Sequence, residues 1–294
     1  MLNQKNSKLI ICKQTRRLTS DALANSLRKL LNSTSPISEI GLCDQWLKAL
    51  KKYKEIFPDG WYIPPPHGFI VLFGDKNHIQ RLYLKSARPT EFWPKDTIFL
   101  NRKEGIASMY FSPVNKQSGI IGDFGLTVYF GTDQNIKKHL LKVFDITKEI
   151  FNHIKLGMKF SDICKFALDL AEKNNLTNDI VSINDPSNTN IGHIIPAIYD
   201  DWTDEEKVNL RSKNLQIIAN TISKKRKFLS LLEQTKVQPG MAFTIEPRLL
   251  DKNDPKLPMA YFHTIAIIRE NGQKELLTNF DDIFKLIGMN YMLK

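Results

Sequence analysis

The sequence predicts an α+β protein in which a pseudo-twofold antiparallel sheet is covered by helices. Three observations lead there. Helix-spaced apolar residues followed by short β-branched or aromatic runs occur twice in the same order. The last two runs are joined by Asn271-Gly272, a hairpin signal. A chain of 294 residues, 42% of them hydrophobic, also suffices for a full core without disulfides. No sequence repeat accompanies the symmetry, which is therefore an expectation about architecture.

Taken in order, residues 8–12, with the apolar Leu9-Ile10-Ile11-Cys12, read as a first strand, making residues 1–18 a strand and lead-in to a single domain over 19–294. Ser20 then caps a helix through Leu23, Leu27, Leu30 and Leu31. Ser35-Pro36 opens a second, carried by Ile37, Ile40, Trp46, Leu47 and Leu50 as far as Phe57-Pro58. Asp59-Gly60 and Pro64-Pro65-Pro66 forbid further helix. Short strands follow over 69–73, 97–100 and 126–130. The second half repeats the order: a helix over 134–153, a break at Gly157, a helix over 160–175, then strands over 241–245, 261–268 and 274–277. Between the helices and those strands, a polar stretch opening at Trp202-Thr203-Asp204 and running through Leu215, Ile218 and Ile222 to Leu232 predicts an inserted helix near 203–234. Its Lys224-Lys225-Arg226-Lys227 run reads as a solvated basic face near a helix C-terminus.

Lys and Arg total 42 against 31 Asp and Glu, a net charge of +11, which favours anionic partners without naming one. The basic residues are scattered and lack the interleaved aromatics that stack bases, which argues against nucleic-acid binding. Three distant cysteines, Cys12, Cys43 and Cys164, signal neither a zinc knuckle nor a disulfide framework. No apolar run is long enough to span a bilayer, and the expected location is cytoplasmic.

Gly240-Met241-Ala242-Phe243-Thr244-Ile245-Glu246-Pro247 resembles the signature strand of the creatinase and methionine-aminopeptidase superfamily of metallopeptidases, the pita-bread fold. Phe262-His263-Thr264-Ile265 and the run from Gly272 to Leu277-Thr278 are similar to that family's terminal hairpin. Trp93-Pro94-Lys95-Asp96-Thr97-Ile98-Phe99-Leu100-Asn101 resembles the strand ending in its first metal-binding aspartate. Gly122-Asp123-Phe124-Gly125-Leu126-Thr127 resembles the second aspartate segment, Ile191-Gly192-His193-Ile194-Ile195 the Gly-His motif, and Pro65-Pro66-His67 the segment carrying a substrate-contacting histidine. These matches run in order over residues 20–280, interrupted between Asn101 and Asp123 and by the 203–234 insertion. They resemble the Xaa-Pro aminopeptidase and creatinase branch more than methionine aminopeptidase.

The resemblance implies metal-ligand positions at Asn101, Asp123, His193, Glu246 and Phe262. An Asn amide is neutral and Phe cannot ligate, so two negative charges are missing, which argues against a dinuclear centre. What it implies instead is one divalent ion of the manganese, zinc, iron or cobalt type on Asp123, His193 and Glu246, with a position left open. His67 is implied as a catalytic and substrate-binding residue. Asp200 stands nearest the offset of a second family histidine and is implied as a substrate contact, with a plain surface carboxylate as the alternative. His263 adjoins Phe262, and strand alternation is expected to turn it away from the site. Two functions stay open: a catalytically altered or inactive pita-bread domain, a pseudoenzyme binding a peptide or small amide, and an active single-metal hydrolase of aminopeptidase or amidinohydrolase type. In the first, Glu246 can belong to a polar network with Arg248 or His193 in a site that has lost its metal. A homodimer is the assembly the resemblance suggests.

Overall fold

The computed structural model of the protein describes residues 2–57, 59–63, 65–83, 89–179, 185–212 and 214–293. Pro58 and Pro64, read above as helix breakers, lie outside them. The chain opens not with a strand but with a 30-residue helix, α1 (Leu2–Leu31). Its buried positions include Leu9, Cys12, Arg16, Thr19, Leu23 and Leu27, spaced three or four apart on one stripe. Thr15, Arg16, Thr19 and Ser20 fill the middle of that stripe, so apolar periodicity fails there. The four apolar residues 9–12 are one helical turn, with Ile10 turned outward at 62% exposure.

Helix α2 (Glu39–Leu50) is shorter than expected at both ends. Ser38, not Ser35, caps it by accepting from the Gly41 amide at 3.0 Å. Strand β1 (Ile70–Gly74) follows as expected. Residues 97–100 form no strand: Phe99 makes a single bridge to Ser38 and is 54% exposed. The strand that takes that place is β2 (Ile106–Phe111), which pairs with β1 and, along its whole length, with β3 (Phe124–Tyr129). Ala107, Ser108 and Met109 lack the β-branched signature that would have marked it.

Helices α3 (Gln134–His153) and α4 (Phe160–Lys173) match expectation. A short strand β4 (Leu176–Asp179) precedes the insertion, which holds two helices rather than one: α5 (Asp204–Leu210) and α6 (Leu215–Lys224). Each has its own N-cap, Thr203 in a capping box with Glu206 and Asn214 for α6, and two caps eleven residues apart preclude one continuous helix. Strands β5 (Met241–Ile245), β6 (Arg248–Asp251), β7 (Phe262–Ile268) and β8 (Lys274–Leu277) and helix α7 (Asp281–Leu286) complete the chain.

The main sheet is antiparallel in the order β1-β2-β3-β7-β5, with β8 also on β7; β4 and β6 pair separately. One edge of β7 carries β5; the other is shared by β3, over Gly125↔His263 and Leu126↔Phe262, and by β8, over Ile265 to Ile268. The seam between the two halves is therefore the shortest ladder in the sheet. Alternation sends Phe124, Leu126, Phe243, Ile245, Phe262 and Ala266 into the helix-covered core. There Trp46 meets Phe69 at 5.1 Å and Phe111 at 5.8 Å, while Phe262 meets Phe144 at 4.9 Å and Phe280 at 5.9 Å. On the other face, Ala242, Ile265 and Ile267 pack with Trp61, Ile121, Ile195 and, from α6, Ile222. Among the described residues no helix is long and apolar enough to cross a membrane.

Candidate metal centre

The residues between core-facing positions share the opposite face of the sheet. Asp123 immediately precedes β3, Glu246 immediately follows β5, and His263 is the second residue of β7. His193 arrives on a segment bound to β5, with Thr244 N donating to His193 O at 2.8 Å and Glu246 N to Ile191 O at 2.8 Å. Glycine is required beside it, since a Cβ on Gly192 would lie 2.2 Å from the Thr244 carbonyl.

Asp123, His193 and Glu246 each offer one ligand atom, and the three atoms lie within 4.8 Å of one another, all buried. His193 Nε2 is 3.0 Å from Asp123 Oδ2 and 3.7 Å from Glu246 Oε1. Its Nδ1 lies 2.9 Å from the Ile194 carbonyl, which can only accept, so Nδ1 carries the proton. With one proton on Nδ1, Nε2 turns a lone pair toward a carboxylate oxygen at 3.0 Å. Two acceptors at that distance repel unless a cation or a second proton lies between them. Asp123 has the Tyr110 hydroxyl as a hydrogen-bonding neighbour, and its Oδ1 is buried without a well-aligned donor. The Thr244 hydroxyl accepts from His193 N at 2.8 Å and donates to Glu246 Oε1 at 3.0 Å. One imidazole anchored through its far nitrogen and two carboxylates fit a divalent cation in donor type and number.

The positions the resemblance gave to the missing ligands fall elsewhere. Asn101 sits on an exposed turn, its Oδ1 accepting from Lys103 N at 3.0 Å and Glu104 N at 3.2 Å. The strand beside Asp123 is β2, whose Tyr110 stands opposite Gly125 and lines the cavity. Burial, and then the charges of Asp123 and Glu246, push the Tyr110 hydroxyl well above its usual ionisation range, so it brings no negative charge. Phe262 points into the aromatic core, and His263 faces the site: its Nδ1 lies 2.9 Å from Glu246 Oε2. The expectation that His263 turns away is corrected. The alternation rule holds, but its phase is set by the register of β7 on β5, which local sequence does not reveal. Neither His263 ring nitrogen has a partner aligned for a hydrogen bond. Burial pushes the Glu246 carboxyl up, but His263 and then His193 outweigh it and hold it below the usual carboxylate range.

His67 and Asp200 are not brought to this cluster. His67 lies in the turn Pro66–Gly68 with φ +56°, pairs through Nδ1 with Asp59, and lines a separate apolar pocket of about 130 Å³ with Cys43, Leu47, Phe69 and Trp93. Asp200 is exposed on the segment leading to α5. The cavity beside the cluster is small, about 20 Å³, room for a single water. Its walls include Trp61, Tyr62, Tyr110, Arg226 and Arg248. The Arg226 guanidinium lies 5.0 Å from the Trp61 ring and 4.5 Å from Phe228, and burial lowers its pKa. The basic run is thus not wholly a solvated face: its main chain bonds to the Gly-His segment, Ile194 N to Lys227 O and Leu229 N to Gly192 O, each at 2.8 Å. Tyr110, His263, Trp61 and Arg226 are site residues that the sequence reading left out. Only the register of the strands identifies the first two.

A family model described as metallopeptidase family M24 matches residues 13–269. No curated protein matches the sequence. Among solved structures, an X-Pro aminopeptidase from Thermotoga maritima is similar with a TM-score of 0.59 at 12% identity, covering 93% of this chain and 61% of that one. A prolidase from Pyrococcus horikoshii is similar with a TM-score of 0.59 at 13% identity, covering 92% and 62%. A methionine aminopeptidase from Rickettsia prowazekii has a TM-score of 0.55 at 15% identity, covering 93% and 97%. The chain spans about three-fifths of the length of the first two. These likenesses show the fold, the pita-bread arrangement.

Proposed function

This chain belongs to metallopeptidase family M24, and on that premise we propose that it is a pita-bread domain with a reduced, one-cation site and altered or absent catalysis, binding a peptide or small amide. The observation that carries the reading is the 3.0 Å approach of His193 Nε2 to Asp123 Oδ2 with Glu246 beside it, an arrangement that calls for one positive species among three donors. Tyr110, His263, Arg226 and Arg248 on the cavity wall add no negative charge, which argues against a second cation. When bound, a divalent cation supplies Lewis acidity at this point. The chain's own residues do the remaining work: Ile194 O and Thr244 orient the donors, while Trp61, Tyr62 and Arg226 exclude water. His67 would meet a ligand only through the apolar pocket it lines. The three cysteines are free, as suits a cytoplasmic protein.

The test is calorimetric titration of the purified, chelator-treated protein with manganese, zinc and cobalt. One equivalent is expected, lost in Asp123→Asn, His193→Ala and Glu246→Gln. Thermal unfolding should shift upward on saturation, by about 2.7 kcal/mol at a hundredfold excess over Kd, and fall back on chelation. Uptake of two equivalents, or of none, overturns the reading. The three-donor set with room for one water beside it favours a second reading, an active single-metal hydrolase. Turnover of a dipeptide and amide panel that needs the cation and vanishes in His193→Ala decides for it.

A further inference from the structure

The donor set straddles the seam of the sheet. Asp123 belongs to the β3 half, whereas His193, Glu246 and His263 belong to the β5–β7 half. Between the halves the ladder runs over only two residue pairs, against six for β2–β3 and five for β5–β7. It is continued by Thr127 N to Tyr261 O at 3.0 Å and Tyr261 N to the Thr127 hydroxyl at 3.2 Å, and ends where β8 takes over the edge. A fully buried guanidinium lies across this seam. Arg16 of α1 donates through one terminal nitrogen to the Asp123 carbonyl, and through the other to His263 O and Thr278 O, each at 2.6 Å. Its Nε donates to Asn279 Oδ1 at 3.2 Å, and its plane lies near Phe124 and Phe280. The helix is pressed close at this point: a Cβ on Gly122 would lie 2.5 Å from Arg16 N.

The geometry points to Arg16 as the positioning residue of the site, a clamp that sets the distance between the Asp123 strand and the strand carrying His263. It deepens the one-cation reading and rests on it for the metal readout only. A planar fork bonds three carbonyls from three segments at fixed angles, which a flexible ammonium cannot reproduce. Two of the carbonyls it holds belong to Asp123, a donor, and to His263, whose Nδ1 lies 2.9 Å from the Glu246 carboxylate, so displacing them moves one donor and the neighbour that positions another.

The experiment compares Arg16→Met, Arg16→Gln and Arg16→Lys with Leu140→Ala, a buried position in α3 outside the site. Cobalt affinity and the visible ligand-field spectrum are read alongside amide hydrogen exchange at residues 125–127 and 261–263. Expected for Arg16→Met is an affinity loss of about 10- to 100-fold with an altered cobalt spectrum. Seam amides should also exchange faster than the loss of global stability accounts for. Arg16→Gln and Arg16→Lys, each keeping part of the donor set, should fall between. Leu140→Ala should lower stability with the cobalt spectrum and the relative seam protection unchanged. If Arg16→Met does not fold, the same comparison is made on Arg16→Lys and Arg16→Gln. Folded variants with wild-type seam protection and an unchanged cobalt spectrum overturn the inference. If the wild-type protein takes no cobalt, the one-cation reading fails, and seam exchange by itself decides whether Arg16 is the clamp.

Discussion

Phe262→Glu is expected to unfold the protein rather than restore a second cation. On sequence resemblance this substitution would replace a lost ligand. In the fold, Phe262 is fully buried on the helix side of the sheet, 4.9 Å from Phe144 and 5.9 Å from Phe280. Emptying a phenylalanine site costs about 3–5 kcal/mol, and a carboxylate left there without a partner costs several kcal/mol more. Together these approach the whole stability of an ordinary domain, about 5–15 kcal/mol. The measurement is circular dichroism with thermal melting and a manganese titration. His263→Glu is the informative partner, because it places a carboxylate on the site face beside Glu246. It should fold, be destabilised by like-charge repulsion, and recover on adding manganese. A folded Phe262→Glu protein binding two equivalents would refute the assignment of faces.

The second large effect is expected at Glu39, far from the cluster. Its side chain is wholly buried at the start of α2, where it pairs with the Arg81 guanidinium at 2.7 and 3.1 Å. It also accepts from the backbone amides of Phe73, at 2.7 Å, and Lys95, at 2.8 Å. One carboxylate thus ties a helix N-terminus, the end of β1 and the loop at 93–95. Glu39→Ala leaves two amides unmet and a half-buried guanidinium without its counter-charge, held among the described residues only by the Glu91 and Trp93 carbonyls, and breaking a buried pair in this way costs about 3–5 kcal/mol. Urea unfolding should show the midpoint falling with the slope unchanged. Glu39→Gln keeps one of the two acceptor oxygens but turns an amide NH2 toward the donors of the other, and should lose less than Glu39→Ala. A Glu39→Ala midpoint within about 0.5 kcal/mol of wild type, the range of ordinary surface changes, would show that the network contributes little.

The helices over 134–153 and 160–175 and the strands at 241–245 and 274–277 were legible because propensity, periodicity and turn residues agree there. Asp123, His193 and Glu246 were legible because each sits in a short motif whose local shape, a strand end or a glycine-permitted close approach, is written beside it. The stretch 8–12 misled because the buried stripe of α1 is partly polar, and a polar stripe has no apolar period to read. The stretch 97–100 misled because a strand exists only where a neighbour pairs with it, and its neighbour was β2's to take.

By itself the sequence determined the fold class and singled out Asp123, His193 and Glu246, which the fold brings together. Which of Phe262 and His263 faces the cavity, that Tyr110 rather than Asn101 stands beside Asp123, and that Arg16 reaches the seam from α1 were decided only by tertiary structure. The reason is that a side chain's face follows from the register of a strand against a partner distant in sequence. A clamp between carbonyls likewise depends on where separate segments come to rest, and neither leaves a mark in the residues nearby.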